Sequence, residues 1–364
     1  MLTAKNYKPV YMFPNLFNKE LVFKIIHSYV VNICMLFCFC FSTSSILTAQ
    51  DIHFSQFTAS PLNVNPAFTG NFDGQFRLMG TYRTQWNSVT IPYKTISLGT
   101  DAHNLLNQEK LGGGILINND NAGDSELSVF QFLLSGSYRM VLDGDAKHHL
   151  MGGLQIGIRQ VSINYSQLKF DSQYNGYSYV SSAPNNESFG NEGRVSPIVN
   201  LGAMWQYQEG RTVANFGLSM YNVNSPNQSF FDNSPVKLDS RLNVHGSAQI
   251  PIAKKIELLP SLLFMKQGEF SELMVGTFGK LILNNDEMNY RALYLGSWLR
   301  SKDAGCFVAA MDYGNVNVGI SYDLNYSELK QASKKRGGFE ISFRYIIKQK
   351  EIGRANYSIC PSFI

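Results

Sequence analysis

Val316, Val318, Ile320, Tyr322 and Leu324 alternate with Asn315, Asn317, Gly319, Ser321 and Asp323. Leu242, Val244, Gly246, Ala248 and Ile250 alternate in the same way with Arg241, Asn243, His245, Ser247 and Gln249. A period of two sends one residue class to each face of a strand. The pattern recurs along most of the chain and predicts strands over 76–86, 94–104, 111–119, 127–142, 148–163, 195–208, 211–223, 240–252, 256–268, 271–283, 291–301, 306–312, 315–325 and 338–347. That is about fourteen strands, an even number, as bacterial single-chain barrels require. Most reach the roughly nine to eleven residues that a tilted strand needs to cross a bilayer. Because lipid cannot satisfy an open sheet edge, the expected fold is a closed all-β transmembrane antiparallel β-barrel around a wet, polar interior.

Connection lengths support this reading. Short connections are expected at Asp143–Lys147, Gln208–Arg211, Pro251–Ile256 and Tyr313–Asn315, and long polar ones at Asn164–Arg194, Asn224–Asp239 and Asn325–Gly337. The long loops follow odd-numbered strands and these short turns follow even-numbered ones. Outer-membrane barrels carry long loops outside and short turns in the periplasm. A soluble β-sandwich would share the alternation but has no reason to sort its loops this way. The sorting predicts that both mature termini are periplasmic.

Residues 1–49 resemble a secretory signal: Lys5, Lys8, Lys19 and Lys24 precede an apolar run from Tyr29 to Phe41, with small residues towards Ala49. The run is shorter than the ~17–25 residues of a membrane span. Cleavage after Ala49 is expected, and Met12 is an alternative start. The expected organisation is then 1–49 signal peptide, 50–75 irregular segment with breakers Pro61, Asn63, Asn65, Pro66 and Gly70, 76–347 barrel, and 348–364 periplasmic tail.

Composition narrows the options further. Charged residues make up 16% of the chain and aromatics 13%, with 25 Phe and 19 Tyr. A soluble chain is usually about 25% charged. Removing the leader's four Lys and one Glu takes 31 basic and 27 acidic residues to 27 and 26, a net of +1. No nucleic-acid footprint survives that subtraction. Cys34, Cys38 and Cys40 lie in the leader, leaving Cys306 and Cys360, too few for a disulfide framework.

Candidate chemistry is sparse. His53, His103, His148, His149 and His245 form no HExxH motif and no pair at helical spacing, so neither a metal nor a cofactor is expected. There is no GxSxG, P-loop or dinucleotide fingerprint, and the expectation is a protein that is not an enzyme. Gly112–Gly114 opens an apolar strand and suggests close packing or a bulge. The Asn/Ser/Tyr/Gly-rich stretch Asn164–Arg194 is a candidate surface contact loop.

The mature start and first strand carry a family resemblance. His53-Phe54-Ser55-Gln56-Phe57, Pro61-Leu62, Asn65-Pro66-Ala67 with Thr69-Gly70, and Tyr82-Arg83-Thr84-Gln85-Trp86 resemble the PorP/SprF family of type IX secretion system membrane proteins of Bacteroidetes. Cys360-Pro361-Ser362-Phe363 is similar to the family's ending, although Ser362 stands where a basic residue is common. The likeness covers essentially the whole chain after Gln50; the long leader departs from it.

The resemblance implies a non-enzymatic outer-membrane component of the secretion and gliding machinery. Such a component assists export or surface anchoring of a cognate large adhesin, or docks periplasmic partners. The candidate motif and docking residues are His53, Phe54, Ser55, Gln56, Phe57, Asn65, Pro66, Ala67, Gly70, Tyr82, Arg83, Gln85, Trp86, Cys360, Pro361 and Phe363. The bland reading of Asn65–Gly70 is a turn that starts the barrel or plugs its base. The rival function is an outer-membrane pore or transporter of the fatty-acid-transporter type, its lumen blocked by its own N-terminal segment.

Overall fold

The computed structural model describes residues 51–85, 92–123, 126–184, 192–230, 236–286, 289–327 and 336–348. The expected cleavage site, Trp86 and the Cys360–Phe363 ending lie outside the described residues. Fourteen strands follow one another in sequence, each pairing with its neighbours. They are β1 (Phe76–Gln85), β2 (Tyr93–Ala102), β3 (Leu111–Ala122), β4 (Leu127–Val141), β5 (His148–Ser162), β6 (Gly193–Glu209) and β7 (Thr212–Tyr221). The second half comprises β8 (Arg241–Pro251), β9 (Ile256–Gln267), β10 (Phe270–Asn284), β11 (Arg291–Arg300), β12 (Ala304–Tyr313), β13 (Val316–Asn325) and β14 (Arg336–Ile347). Pairing of Phe76 with Ile347 and of Thr84 with Phe339 closes the cylinder, leaving no free edge.

Alternation decides which side chains meet lipid. In β13, Val318, Ile320, Tyr322 and Leu324 face outward, while Ser321, Asp323 and Asn325 are buried inside. In β8, Leu242 and Ile250 face outward, and Arg241, Asn243 and His245 face inward. Phe307, Tyr322 and Phe339 are outward cross-strand neighbours and form an aromatic ladder over β12–β14. Phe76, Tyr138, Trp205 and Tyr313 provide outward aromatics nearer the opposite end. These two sets sit where interfacial girdles belong.

One end of the cylinder, here the turn rim, carries the connections after β4, β6, β8 and β12, together with 103–110 and 285–290. The other, the loop rim, carries 163–192, 222–240 and 326–335. The loop rim also holds the tight connections 268–269 and 301–303, so the asymmetry belongs to the long loops alone. In loop 163–192 the bridge between Tyr174 and Tyr179 lifts Tyr177 into solvent.

The interior departs from the wet lumen expected of the alternation. Residues Asp51–Gly74 run through it and pack against the wall. Phe57 and Val64 join Leu263, Met265, Met274, Trp298, Cys306 and Val308 in one apolar cluster. Leu62 joins Met79, Leu116, Leu133 and Ile198 in a second, and Ala67 joins Met151 and Met204 in a third. Phe68 packs against all three.

Within the described residues, the two ends of the chain lie at opposite rims. The Asp51 amide donates to Gln267 Oε1 (3.0 Å) and its carboxylate accepts from Asn222 Nδ2 (2.6 Å), both at the loop rim. Ile347 ends at the turn rim beside Phe76.

Candidate functional site

A chain inside a closed barrel has no strand ladder to join, so its backbone groups need partners from the wall. The plug solves this locally with three short 3-10 turns at Phe57–Ala59, Pro61–Asn63 and Pro66–Phe68. Pro61 and Pro66 open two of these turns, where a missing N–H costs nothing. The inward polar residues complete the set. Leu62 O accepts from Gln155 Nε2 (3.1 Å) and the Tyr221 hydroxyl (2.8 Å). Val64 O accepts from Ser219 Oγ (2.6 Å) and Asn243 Nδ2 (2.9 Å). Thr69 O accepts from Ser137 Oγ (2.5 Å). The polar lumen face is therefore the hydrogen-bonding complement of the plug backbone.

Near the loop rim the plug is anchored on buried charge. Glu340 of β14 accepts the backbone N–H groups of Ser55 (2.6 Å) and Gln56 (2.9 Å) and pairs with Arg83 Nη1 (3.2 Å). Asp323 of β13 accepts from the Ser55 hydroxyl (2.8 Å) and pairs with Arg83 (3.4 Å) and Arg300 (3.3 Å). Arg300 also donates to the Ser55 hydroxyl and pairs with Asp303 (2.9 Å) and Glu272 (3.6 Å). Arg83 Nη1 donates to His53 O (2.8 Å), and His53 Nε2 lies 3.9 Å from Glu272. Arg83, Arg300, Asp323 and Glu340 are all nearly inaccessible, so the charges neutralise one another and not through water.

Mid-lumen, Asn65 folds back to accept its own Ala67 N–H (2.8 Å). It also donates to Ala203 O (3.1 Å) and Leu218 O (3.0 Å) and meets His245 Nε2 (2.9 Å). Asn65-Pro66-Ala67 rests on the glycine pair Gly153–Gly202 of β5 and β6; a Cβ on either glycine would strike Pro66. Towards the turn rim, Arg77 and Asp101 form a bidentate pair (2.6 and 2.9 Å). Asp101 accepts the Gly70 N–H (2.8 Å), and Arg77 donates to Phe68 O (3.1 Å). Gly70 sits at φ +68°, and a Cβ there would lie 2.8 Å from both Gly112 Cα and Ala102 O, so only glycine fits.

Among the described residues, polar contacts from the plug reach every strand except β12. β12 instead contributes Cys306 and Val308 to the Phe57 cluster. Two spaces left near the loop-rim end, one beside Asp51, Tyr221 and Arg241 and one beside His53 and Phe270, measure about 10 Å³ each. That is room for about one water apiece.

The model of the type IX secretion system membrane protein family PorP/SprF matches residues 46–345, most of this chain. The chain belongs to the PorP/SprF family. Among solved structures it is similar to the toluene transporter TbuX of Ralstonia pickettii, at 11% identity and TM-score 0.48 over 79% of this chain and 94% of that one. It is likewise similar to the CymD monoaromatic hydrocarbon channel, at 11% identity and 0.47 over 84% and 95%. A Pseudomonas aeruginosa FadL homologue aligns at 10% identity and 0.42 over 77% and 92%. No curated protein matches the chain in sequence. As a closed barrel with an apolar outer face in a family of membrane proteins, this PorP/SprF member is an outer-membrane β-barrel.

The PorP/SprF motif residues now have places. Phe54, Ser55, Gln56, Phe57, Asn65, Pro66, Ala67 and Gly70 are buried in the lumen, and His53 is half-buried there. Arg83 faces inward on the charged anchor, and Gln85, with its amide oxygen turned toward Arg83, accepts from that guanidinium. Tyr82, one residue before Arg83 and therefore on the opposite face, points to the lipid and shares no site with them. Cys306 is buried near the loop rim. Among the described residues no group of three or more His, Cys, Asp or Glu is placed to hold a metal ion.

The sequence reading missed Asp101, Glu272, Arg300, Asp323 and Glu340, which bind the plug's first and last turns. It also missed the apolar lumen patches. A signal for the patches existed: Leu78-Met79, Ile115-Leu116-Ile117 and Leu262-Leu263-Phe264-Met265 break the alternation with consecutive apolar residues. Each inward member of those runs meets the plug. Gly112, read as a packing element, lies against Thr69 O.

Proposed function

We propose that this PorP/SprF protein is a sealed, non-enzymatic outer-membrane component of the type IX machinery. It assists export or surface anchoring of a cognate adhesin and engages its partners at its rims and not through its lumen. The observation that carries this reading is the plug, which packs against the wall all around the lumen. A passage for solute would require those contacts to break together. In this reading the loop rim faces outward, with Tyr177 and its loop available to an exported client. The turn rim faces the periplasm, and the tail with Cys360, Pro361 and Phe363 is available to secretion components on that side.

Two measurements test the proposal. The purified protein reconstituted in a planar bilayer should show no steady conductance. In cells it should co-purify with type IX components, and its deletion should remove an adhesin from the surface. Steady conductance or solute uptake by the unaltered protein would favour the pore reading instead.

A further inference from the structure

The order of plug contacts along the barrel axis fixes a direction. Asp51 meets Gln267 and Asn222, the last residue of β9 and the first after β7. Ile52 O accepts from Arg241, the first residue of β8 (2.9 Å). Asn65 then lies between Ala203 and Leu218, well inside β6 and β7. Gly70 meets Asp101 near the end of β2, and Asn71 accepts from Arg139 near the end of β4 (2.6 Å). The Gln75 amide finally donates to Ile347 O (2.8 Å) as β1 begins. Gln267, Asn222 and Arg241 mark the loop rim; Asp101, Arg139 and Ile347 mark the turn rim.

We infer that the chain enters its own lumen from the loop rim and crosses the membrane once as a buried thread before its first strand. Whatever precedes Asp51 is therefore displayed on the same side as loops 163–192 and 222–240. The tail after Ile347 emerges on the opposite side. Entry from the turn rim would need a second pass of backbone beside the first. The spaces flanking the plug at Asp51 and His53, about 10 Å³ each, hold a water and not a second chain. The N-terminal end of the plug thus belongs to the loop-rim surface and cannot serve as a docking element beside the C-terminal tail.

The side-assignment is tested by three single epitope insertions in the full-length protein: immediately ahead of Asp51, between Tyr177 and Ser178, and after Lys348. Intact cells are probed with antibody, then probed again after the outer membrane is opened. The Asp51 epitope should follow the Tyr177 epitope, bound or unbound in the same condition, and the Lys348 epitope should show the reverse. An Asp51 epitope that follows Lys348 overturns the inference, whichever side proves external. Should the insertion ahead of Asp51 prevent folding, judged by loss of heat-modifiable gel mobility, D51C in a C360S background replaces it. An impermeant maleimide then reads its side against Y177C and K348C. Conductance plays no part in this readout, so a leaky barrel and a reversed plug are distinguishable.

Discussion

Glu340 holds two backbone N–H groups of the plug and one guanidinium of the wall with a single carboxylate. Such a group matters most through what its removal leaves behind. Replacing it with alanine strips the Ser55 and Gln56 amides of their carboxylate acceptor and takes one of the two carboxylates from Arg83, leaving Asp323. Loss of one partner from a buried charge cluster costs about 3–5 kcal/mol. E340A should lower the urea unfolding free energy of the refolded barrel by that amount; an unchanged midpoint would show that the plug is held elsewhere. L62A should cost about 2–5 kcal/mol, because this side chain is 1% exposed among Met79, Leu116, Leu133 and Ile198. Leu134, one residue after Leu133, faces lipid, so L134A in the same assay should cost clearly less than L62A.

At the level of elements, adjacent glycines in β5 separate the plug seat from the outer surface. A Cβ on Gly153 would lie 2.6 Å from Pro66 O and closer still to the neighbouring backbone, whereas one on Gly152 would meet nothing within 4 Å. G153L should therefore push the Asn65-Pro66-Ala67 turn off the wall and raise conductance of the reconstituted barrel from its closed baseline, while G152A stays closed. Equal behaviour of the two variants would mean that this turn does not seat the plug. G202L is expected to act like G153L, because Gly202 pairs with Gly153 and lies against Asn65 and Pro66.

For the molecule as a whole, plug contacts tie together strands all around the barrel. Deleting residues 51–70 removes the partners of Glu340, Asp323, Asp101, Gln155 and Asn243 together. The expected outcome is a barrel that loses its heat-modifiable form at lower temperature and, where it survives, conducts ions. A deletion variant as stable and as closed as the parent would defeat the sealed-barrel reading.

The strands were legible because lipid and lumen impose opposite chemistry on alternate residues. Each of the fourteen predicted segments overlaps its strand, with differences of a few residues at ends such as β3, which runs on to Ala122, and β12, which begins at Ala304. At the end of β3 the pattern fades because Asn118 to Asn121 are polar on both faces, and at the start of β12 because Ala304 and Gly305 are too small to mark a face. Loop sorting was legible too, since a barrel returns every second connection to the same rim. The candidate site was legible only in part: His53–Gly70 stood out as motifs, while Arg300, Asp323 and Glu340 stood apart from them in sequence and looked like ordinary inward polar residues. Sequence by itself determined the closed cylinder, its strand phase and its membrane setting, because those follow from local alternation and the need to satisfy backbone groups in lipid. Only the tertiary structure decided that the lumen is filled and which charges meet inside it. These depend on contacts between residues as far apart as Ser55 and Glu340, which no local pattern encodes.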